Sequence, residues 1–161
     1  MIFVTVGTTI WFDDLIETID QLVASEQIHE PVVCQIGNGR YIPKNCEYFR
    51  FQKSIDEWIQ RSSVVISHGG TGTVLSLLVM QKPFVAVANP MGADDHQSQF
   101  LERLERTGCV LWCRNLEDLP HLWCRNLEDL PHFIHKADAF KSRLLGTEHL
   151  ADDIKAFLES F

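Results

Sequence analysis

The stretch Ser67-His68-Gly69-Gly70-Thr71-Gly72-Thr73 holds the most chemically capable residues of the chain. The apolar run Val64-Val65-Ile66 leads into it, and Val74-Leu75 continue a helical pattern beyond it. That order predicts a buried strand, a glycine-rich turn and a helix start. A helix start presents N–H groups without intrahelical partners and carries roughly half a positive charge. Glycines at 69, 70 and 72 let backbone approach an anion closely. Thr71 and Thr73 add hydroxyl donors and His68 adds an imidazole donor. Together these groups suit a diphosphate. The spacing is neither GxGxxG nor GxxxxGK followed by Ser or Thr, which disfavours dinucleotide and P-loop readings. The alternative is purely structural: a tight turn, with His68 as a turn residue.

A second polar cluster is Asn89-Pro90-Met91-Gly92-Ala93-Asp94-Asp95-His96-Gln97. Asp95, His96 and Gln97 are of the kind that hydrogen-bond sugar hydroxyls. The competing reading is a helix N-cap by Asp94 or Asp95. A third and weaker candidate is Gly7-Thr8-Thr9. No paired carboxylates stand out as a general acid and base. His68 and His96 lack metal-ligand spacing, so no metal site is expected.

The elements that must position these residues follow from periodicity. Ile2 to Val6 reads as a strand closed by Gly7. Phe12, Leu15, Ile16, Ile19, Leu22 and Val23 then recur at helical spacing behind Asp13 and Asp14. Pro31 to Ile36, Glu47 to Phe51, Val64 to Ile66, Phe84 to Ala88 and Cys109 to Cys113 read as further strands. Helices are predicted over 55–61, 72–80, 94–107 and 149–161. Leu150, Ile154, Phe157 and Leu158 form one face of the last, a candidate partner surface or an internal packing face. The Trp11-Phe12 pair is likewise open between interface and core. Strands apolar on both faces, alternating with helices, predict an α/β fold: a Rossmann-like, doubly wound, mostly parallel sheet. Ligands of such sheets sit beyond the carboxyl ends of the strands.

The bulk composition narrows the function classes. The chain has 161 residues, the size of a single domain spanning 1–161. Acidic residues outnumber basic ones 22 to 14, which disfavours nucleic acid and anionic lipid as direct partners. The opening residues lack a basic n-region, so no secretory signal is expected, and no apolar run has spanning length. Five cysteines (34, 46, 109, 113 and 124) contain no CxxC and read as free thiols of a reducing cytosol. Residues 111–121 are repeated without change at 122–132. The first copy should complete a strand at Leu111-Trp112-Cys113. The second should lead through Leu130-Pro131 into the next helix. The residues between form an extra excursion with no catalytic meaning.

The run from Ile2 to Ile16, together with "VVISHGGTGTVL", "KPFVAVANP" and "DDHQ", resembles the carboxyl-terminal domain of family 28 glycosyltransferases. Within that family the likeness runs to the small catalytic subunit of the two-part UDP-GlcNAc transferase of dolichol-linked chitobiose synthesis, and to bacterial exopolysaccharide relatives. The resemblance implies one half of a GT-B fold that binds a UDP-sugar. A separate membrane-anchored chain would bind a polyprenyl-diphosphate-linked acceptor. It implies a peripheral place at the cytosolic membrane face through that partner, and no cofactor. It implies that His68, Gly70, Gly72 and Thr73, with Gly69 and Thr71 between them, hold the diphosphate, His68 with the catalytic role. Gln97 and its neighbour His96 would contact the donor sugar, and Phe51 and Gln52 the uracil. Gly7 and Thr8 would lie near the phosphates and the acceptor. Many relatives carry a ribose-binding glutamate where this chain has Ser76, which would still donate or accept one hydrogen bond to the donor. A charge-assisted hydrogen bond is worth about 1.5–3 kcal/mol. Two readings therefore stand: a UDP-sugar-dependent transferase subunit active with its partner, or a non-catalytic accessory subunit that enhances that partner.

Overall fold

A computed structural model of the chain describes residues 1–91, 96–107 and 110–119. The proposed second copy at 122–132, the helix at 149–161, Gly92 to Asp95, Cys109 and Cys124 lie outside the described residues, as does the side chain of His96.

The elements run β1 (Ile2–Thr5), α1 (Asp13–Ala24), β2 (Val32–Gln35), β3 (Glu47–Phe49), α2 (Asp56–Arg61), β4 (Val64–His68), α3 (Thr71–Val79), β5 (Phe84–Val87), α4 (His96–Thr107) and β6 (Leu111–Cys113). The six strands form one sheet in the order β3-β2-β1-β4-β5-β6, and every pairing is parallel. The expectation of a mostly parallel sheet therefore becomes a wholly parallel one among the described strands. The first repeat copy supplies β6 at the sheet's edge, as its Leu-Trp-Cys run suggests.

The four inner strands are apolar because both of their faces are covered. On one face Ile2, Val4 and Val6 pack against Phe12, Leu15, Ile16, Ile19 and Leu22 of α1 and its approach. On the other, Phe3, Val65 and Ala86 meet Val74, Leu77 and Leu78 of α3 and Phe100, Leu101 and Leu104 of α4. Phe12 is thus core, whereas Trp11 beside it is exposed. Cys34 and Cys113 are buried free thiols and Cys46 is half-buried. Burial pushes the Cys113 thiol up to about 11.

Within the inner strands the buried polar residues gather at one place. Gln35, Thr5 and Ser67 are in register across β2, β1 and β4 and are all buried. They lie at the sheet's carboxyl edge, Gln35 and Thr5 as the last residues of their strands and Ser67 one before the end of β4. Strand order reverses at β1, with β2 to one side and β4 to the other, and that reversal opens a crevice at the same edge.

Candidate functional site

The crevice is a cleft of about 460 Å³. Gly7, Thr8 and Thr9 line it from the end of β1, and His68, Gly70, Thr71, Gly72 and Thr73 from the end of β4. Thr5 and Gln35 form its floor, and residues 52–56 close the side beyond β3. The floor is internally bonded. The Thr5 hydroxyl donates to Gln35 Oε1 at 2.5 Å and accepts from the Gly7 N–H at 3.3 Å.

The start of α3 faces this space with its donors unspent. Gly70 occupies the N-cap position in extended backbone, with no capping side chain. The first helical bond is Val74 N–H to Gly70 C=O at 3.0 Å. The N–H groups of Thr71, Gly72 and Thr73 therefore precede the ladder. No acidic residue stands in this first turn, so the helix end keeps its positive potential. A Cβ on Gly72 would meet no protein atom within 4 Å. That glycine keeps space open rather than permitting a tight contact.

His68 sits between the two glycine loops. A Cβ at Gly7, where φ is +76°, would come within 2.5 Å of its ring, and one at Gly70 would overlap Nε2. The glycines at 7 and 70 are the room into which the imidazole fits. Its Nδ1 is buried without a hydrogen-bond partner among the described residues. Burial lowers the His68 pKa from its ordinary value. The Thr5 backbone opposes that shift from outside good hydrogen-bonding geometry. The ring is neutral near pH 7 and offers one N–H donor.

Other residues singled out from the sequence fall elsewhere. Gly69 lies behind the cleft, where its missing side chain admits Leu101 and Ala88; a Cβ there would be 2.7 Å from Leu101 Cδ1. Phe51 is exposed beside Gly37 and does not line the cleft, whereas Gln52 does. Ser76 is exposed and outside the lining; its hydroxyl donates to the Gly72 carbonyl at 2.9 Å, one turn back. Gln97 accepts the Asn89 N–H at 3.3 Å. The Asn89 side chain donates to the Trp11 carbonyl at 2.9 Å and accepts the Met91 N–H at 3.0 Å. It thereby ties the loop after β1 to the loop after β5. Among the described residues no group of three His, Cys, Asp or Glu could hold a metal ion, and no helix is long and apolar enough to cross a membrane.

The family described as "Glycosyltransferase family 28 C-terminal domain" matches residues 1–144. The chain belongs to that family. The human "UDP-N-acetylglucosamine transferase subunit ALG13" is 35% identical to this family 28 domain over 123 residues, 70% of this chain and 11% of that protein. The protein of the same name from Debaryomyces hansenii is 32% identical over 96 residues, 60% of this chain and 43% of that protein. The chain thus spans less than half the length of these relatives. Among solved structures, MurG of Acinetobacter baumannii superposes with a TM-score of 0.66 at 19% identity, covering 99% of this chain and 49% of that one. The "Glycotransferase of kitacinnamycin" superposes with a TM-score of 0.68 at 17% identity, covering 98% and 43%. These two likenesses establish the fold: the Rossmann-like, GT-B-type half expected from the strand pattern.

Several lining residues of this family 28 domain escape sequence reasoning. Lys53, Ser54 and Asp56 reach the cleft because the loop between β3 and α2 leaves the sheet at the same carboxyl edge. Lys53 is the one lysine or arginine among the lining residues and has no ion-pair partner among the described residues. Thr5 and Gln35 had a readable signal: each is a polar residue ending an otherwise apolar strand.

Proposed function

We propose that this family 28 domain is the donor-binding subunit of a two-part glycosyltransferase. It moves a sugar from a UDP-sugar to a polyprenyl-diphosphate-linked acceptor held by a membrane-anchored partner chain. The observation that carries the reading is the uncapped, acid-free start of α3 opening on the cleft beside His68. Relatives named as UDP-N-acetylglucosamine transferase subunits support the donor class.

The diphosphate of the donor occupies the space over Gly70 to Thr73. Its charge meets the N–H groups of α3, the hydroxyls of Thr71 and Thr73, and the His68 imidazole. As the bond from sugar to diphosphate breaks, negative charge grows on the departing UDP. Fixed donors aimed at that charge lower the barrier without reorganising. His68 acts there as a hydrogen-bond donor, the catalytic role expected of it. Gly7 and Thr8 flank the phosphates on the other wall. Gln97 and His96, at the start of α4, contact the sugar. The general base that deprotonates the acceptor hydroxyl lies on the partner. The reaction needs no cofactor besides the donor. The complex works at the cytosolic membrane face, reached through the partner.

Ser76 favours a second reading. Its hydroxyl is turned to its own helix and stands outside the cleft. A subunit without the ribose-binding carboxylate fits a non-catalytic accessory role. Ligand-observed NMR on the purified chain with UDP, UDP-GlcNAc, UDP-galactose and UDP-glucuronate separates the two. Saturation by UDP that weakens in His68→Ala, with one sugar preferred, supports the donor-binding subunit. No binding by a folded sample at millimolar ligand supports the accessory role.

A further inference from the structure

Gln52 lines the cleft on the side of residues 52–56, and its side-chain amide is held in one sense. The Trp58 indole N–H donates to Gln52 Oε1 at 2.7 Å. An indole nitrogen carries a hydrogen and no available lone pair, so it can only donate. The amide oxygen must therefore face the tryptophan, and the amide NH2 is turned the other way. That NH2 has no hydrogen-bond partner among the described residues.

The tryptophan is itself fixed. Its ring stacks with Phe49 of β3 at 5.5 Å between centroids and with Phe3 of β1 at 6.4 Å. Phe3 and Phe49 stack with each other at 6.2 Å. Phe3 is fully buried on the central strand, so the three rings tie α2 to the core. The intervening segment is pinned at both ends. Gly37 N–H donates to the Arg50 carbonyl at 3.2 Å, and Asp56 N–H donates to the Ser54 hydroxyl at 3.1 Å. The Gln52 amide thus reaches the cleft from a rigid frame, with its donors outward.

We infer that Trp58 is a positioning residue that sets nucleobase preference, by locking the Gln52 amide so that it offers the base its donors and not its oxygen. This rests on the reading that the cleft holds a nucleoside diphosphate. Uracil presents a carbonyl at C4, which accepts from the amide NH2. Cytosine presents an amino group at the same position, and two donors then face each other with neither satisfied. A site built around one hydrogen bond rejects a ligand that leaves its groups unpaired far more strongly than a site that discriminates by shape.

The test compares UDP and CDP affinities, by calorimetry or ligand-observed NMR, for the wild type, Trp58→Phe and Gln52→Glu. Trp58→Phe keeps a ring in the stack but removes the N–H, together with part of the stacked area. The wild type prefers UDP over CDP by about tenfold or more. In Trp58→Phe the amide is free to turn, and the preference falls to within about threefold while the thermal midpoint stays close to that of the wild type. Gln52→Glu changes an exposed residue and so leaves folding intact. It presents an oxygen to the base and shifts the preference towards CDP. An unchanged UDP-to-CDP ratio in folded Trp58→Phe overturns the inference, and so does an unchanged ratio in Gln52→Glu if Trp58→Phe fails to fold. A wild type that binds neither nucleotide overturns the nucleotide reading and this inference with it.

Discussion

Helices α1 and α3 end alike and begin unlike. Each closes on a residue in the left-handed region, Glu26 at φ 56° and Gln81 at φ 54°. Each closes with the same bonds: Gln27 N–H to Leu22 C=O and Glu26 N–H to Val23 C=O, then Lys82 N–H to Leu77 C=O and Gln81 N–H to Leu78 C=O. At their starts they diverge. Asp13 and Asp14 occupy the first turn of α1, and the Asp13 carboxylate accepts the Arg40 N–H at 3.0 Å. Two turns further on, buried Asp20 accepts from Tyr41 Oη and from the N–H groups of Lys44 and Asn45. α1 uses its acids to hold the loop before β3. α3 has no acid in its first turn and leaves its N–H groups to the cleft. The difference teaches that the residues of one helical turn decide whether a strand–turn–helix unit closes on a neighbouring loop or keeps an open, acid-free helix start.

Making α3 resemble α1 should have the largest effect. Gly72→Asp places a carboxylate at the helix start, in space that no protein atom occupies. The fold keeps or gains stability, since an acid there is favourable by about 0.3–1 kcal/mol. UDP binding, read by NMR titration, falls by roughly a hundredfold, because like charges brought together cost several kcal/mol. Unchanged affinity in this variant would remove the diphosphate from the start of α3.

Removing a structural acid tests the other helix. Burial tends to raise the Asp20 pKa, but the hydrogen bonds from Lys44, Asn45 and Tyr41 outweigh it, and the net shift is downward. A carboxyl lowered on folding stabilises the fold above its unfolded pKa, about 3.9, and that stability is lost as pH falls through the lower folded value. Asp20→Asn should cost about 2–3 kcal/mol at pH 7 by urea unfolding and flatten the acid limb of the stability curve.

His68→Ala is smaller than either in effect. It should weaken UDP by about tenfold, the loss of one hydrogen bond to a charged group. The sign of its pH effect is opposite to that of a salt-bridged histidine. The folded pKa is lowered, so the unfolded chain takes up a proton first as pH drops through about 6.5. Wild-type stability should decline from that point downward, and the alanine variant should lack that component in parallel denaturation series. The smallest effect is expected where the helices are alike. Gln81→Gly relieves a left-handed residue and should raise the melting temperature by about 2 °C in calorimetry.

The fold was legible because every inner strand is a short apolar run and every turn at the carboxyl edge begins with glycine or a polar residue. The Ser67-to-Thr73 segment pointed to the cleft because its residue types are adjacent in sequence. The rest depended on distance along the chain. Lys53 and Asp56 line the cleft from the loop after β3, an edge strand whose place beside β2 local pattern does not encode, and the Trp58–Gln52 bond spans a turn with no periodicity. Asp20 left a trace, an acid on the buried face of α1 between Ile19 and Leu22. Gly69 was misleading for a physical reason: a glycine that admits Leu101 of a neighbouring helix is indistinguishable in sequence from one that admits a phosphate.

The Asn89 side chain has a kinetic consequence. A single buried amide joins the loop after β1, through Trp11, to the loop after β5, through Met91, while its own backbone holds Gln97. Neither loop can swing away from the other without breaking that shared connection, so the wall at the end of β1 moves only together with the loop after β5, which stands outside the cleft lining. Opening of that wall is then gated by the rupture of one buried amide bond rather than by the loop's own flexibility.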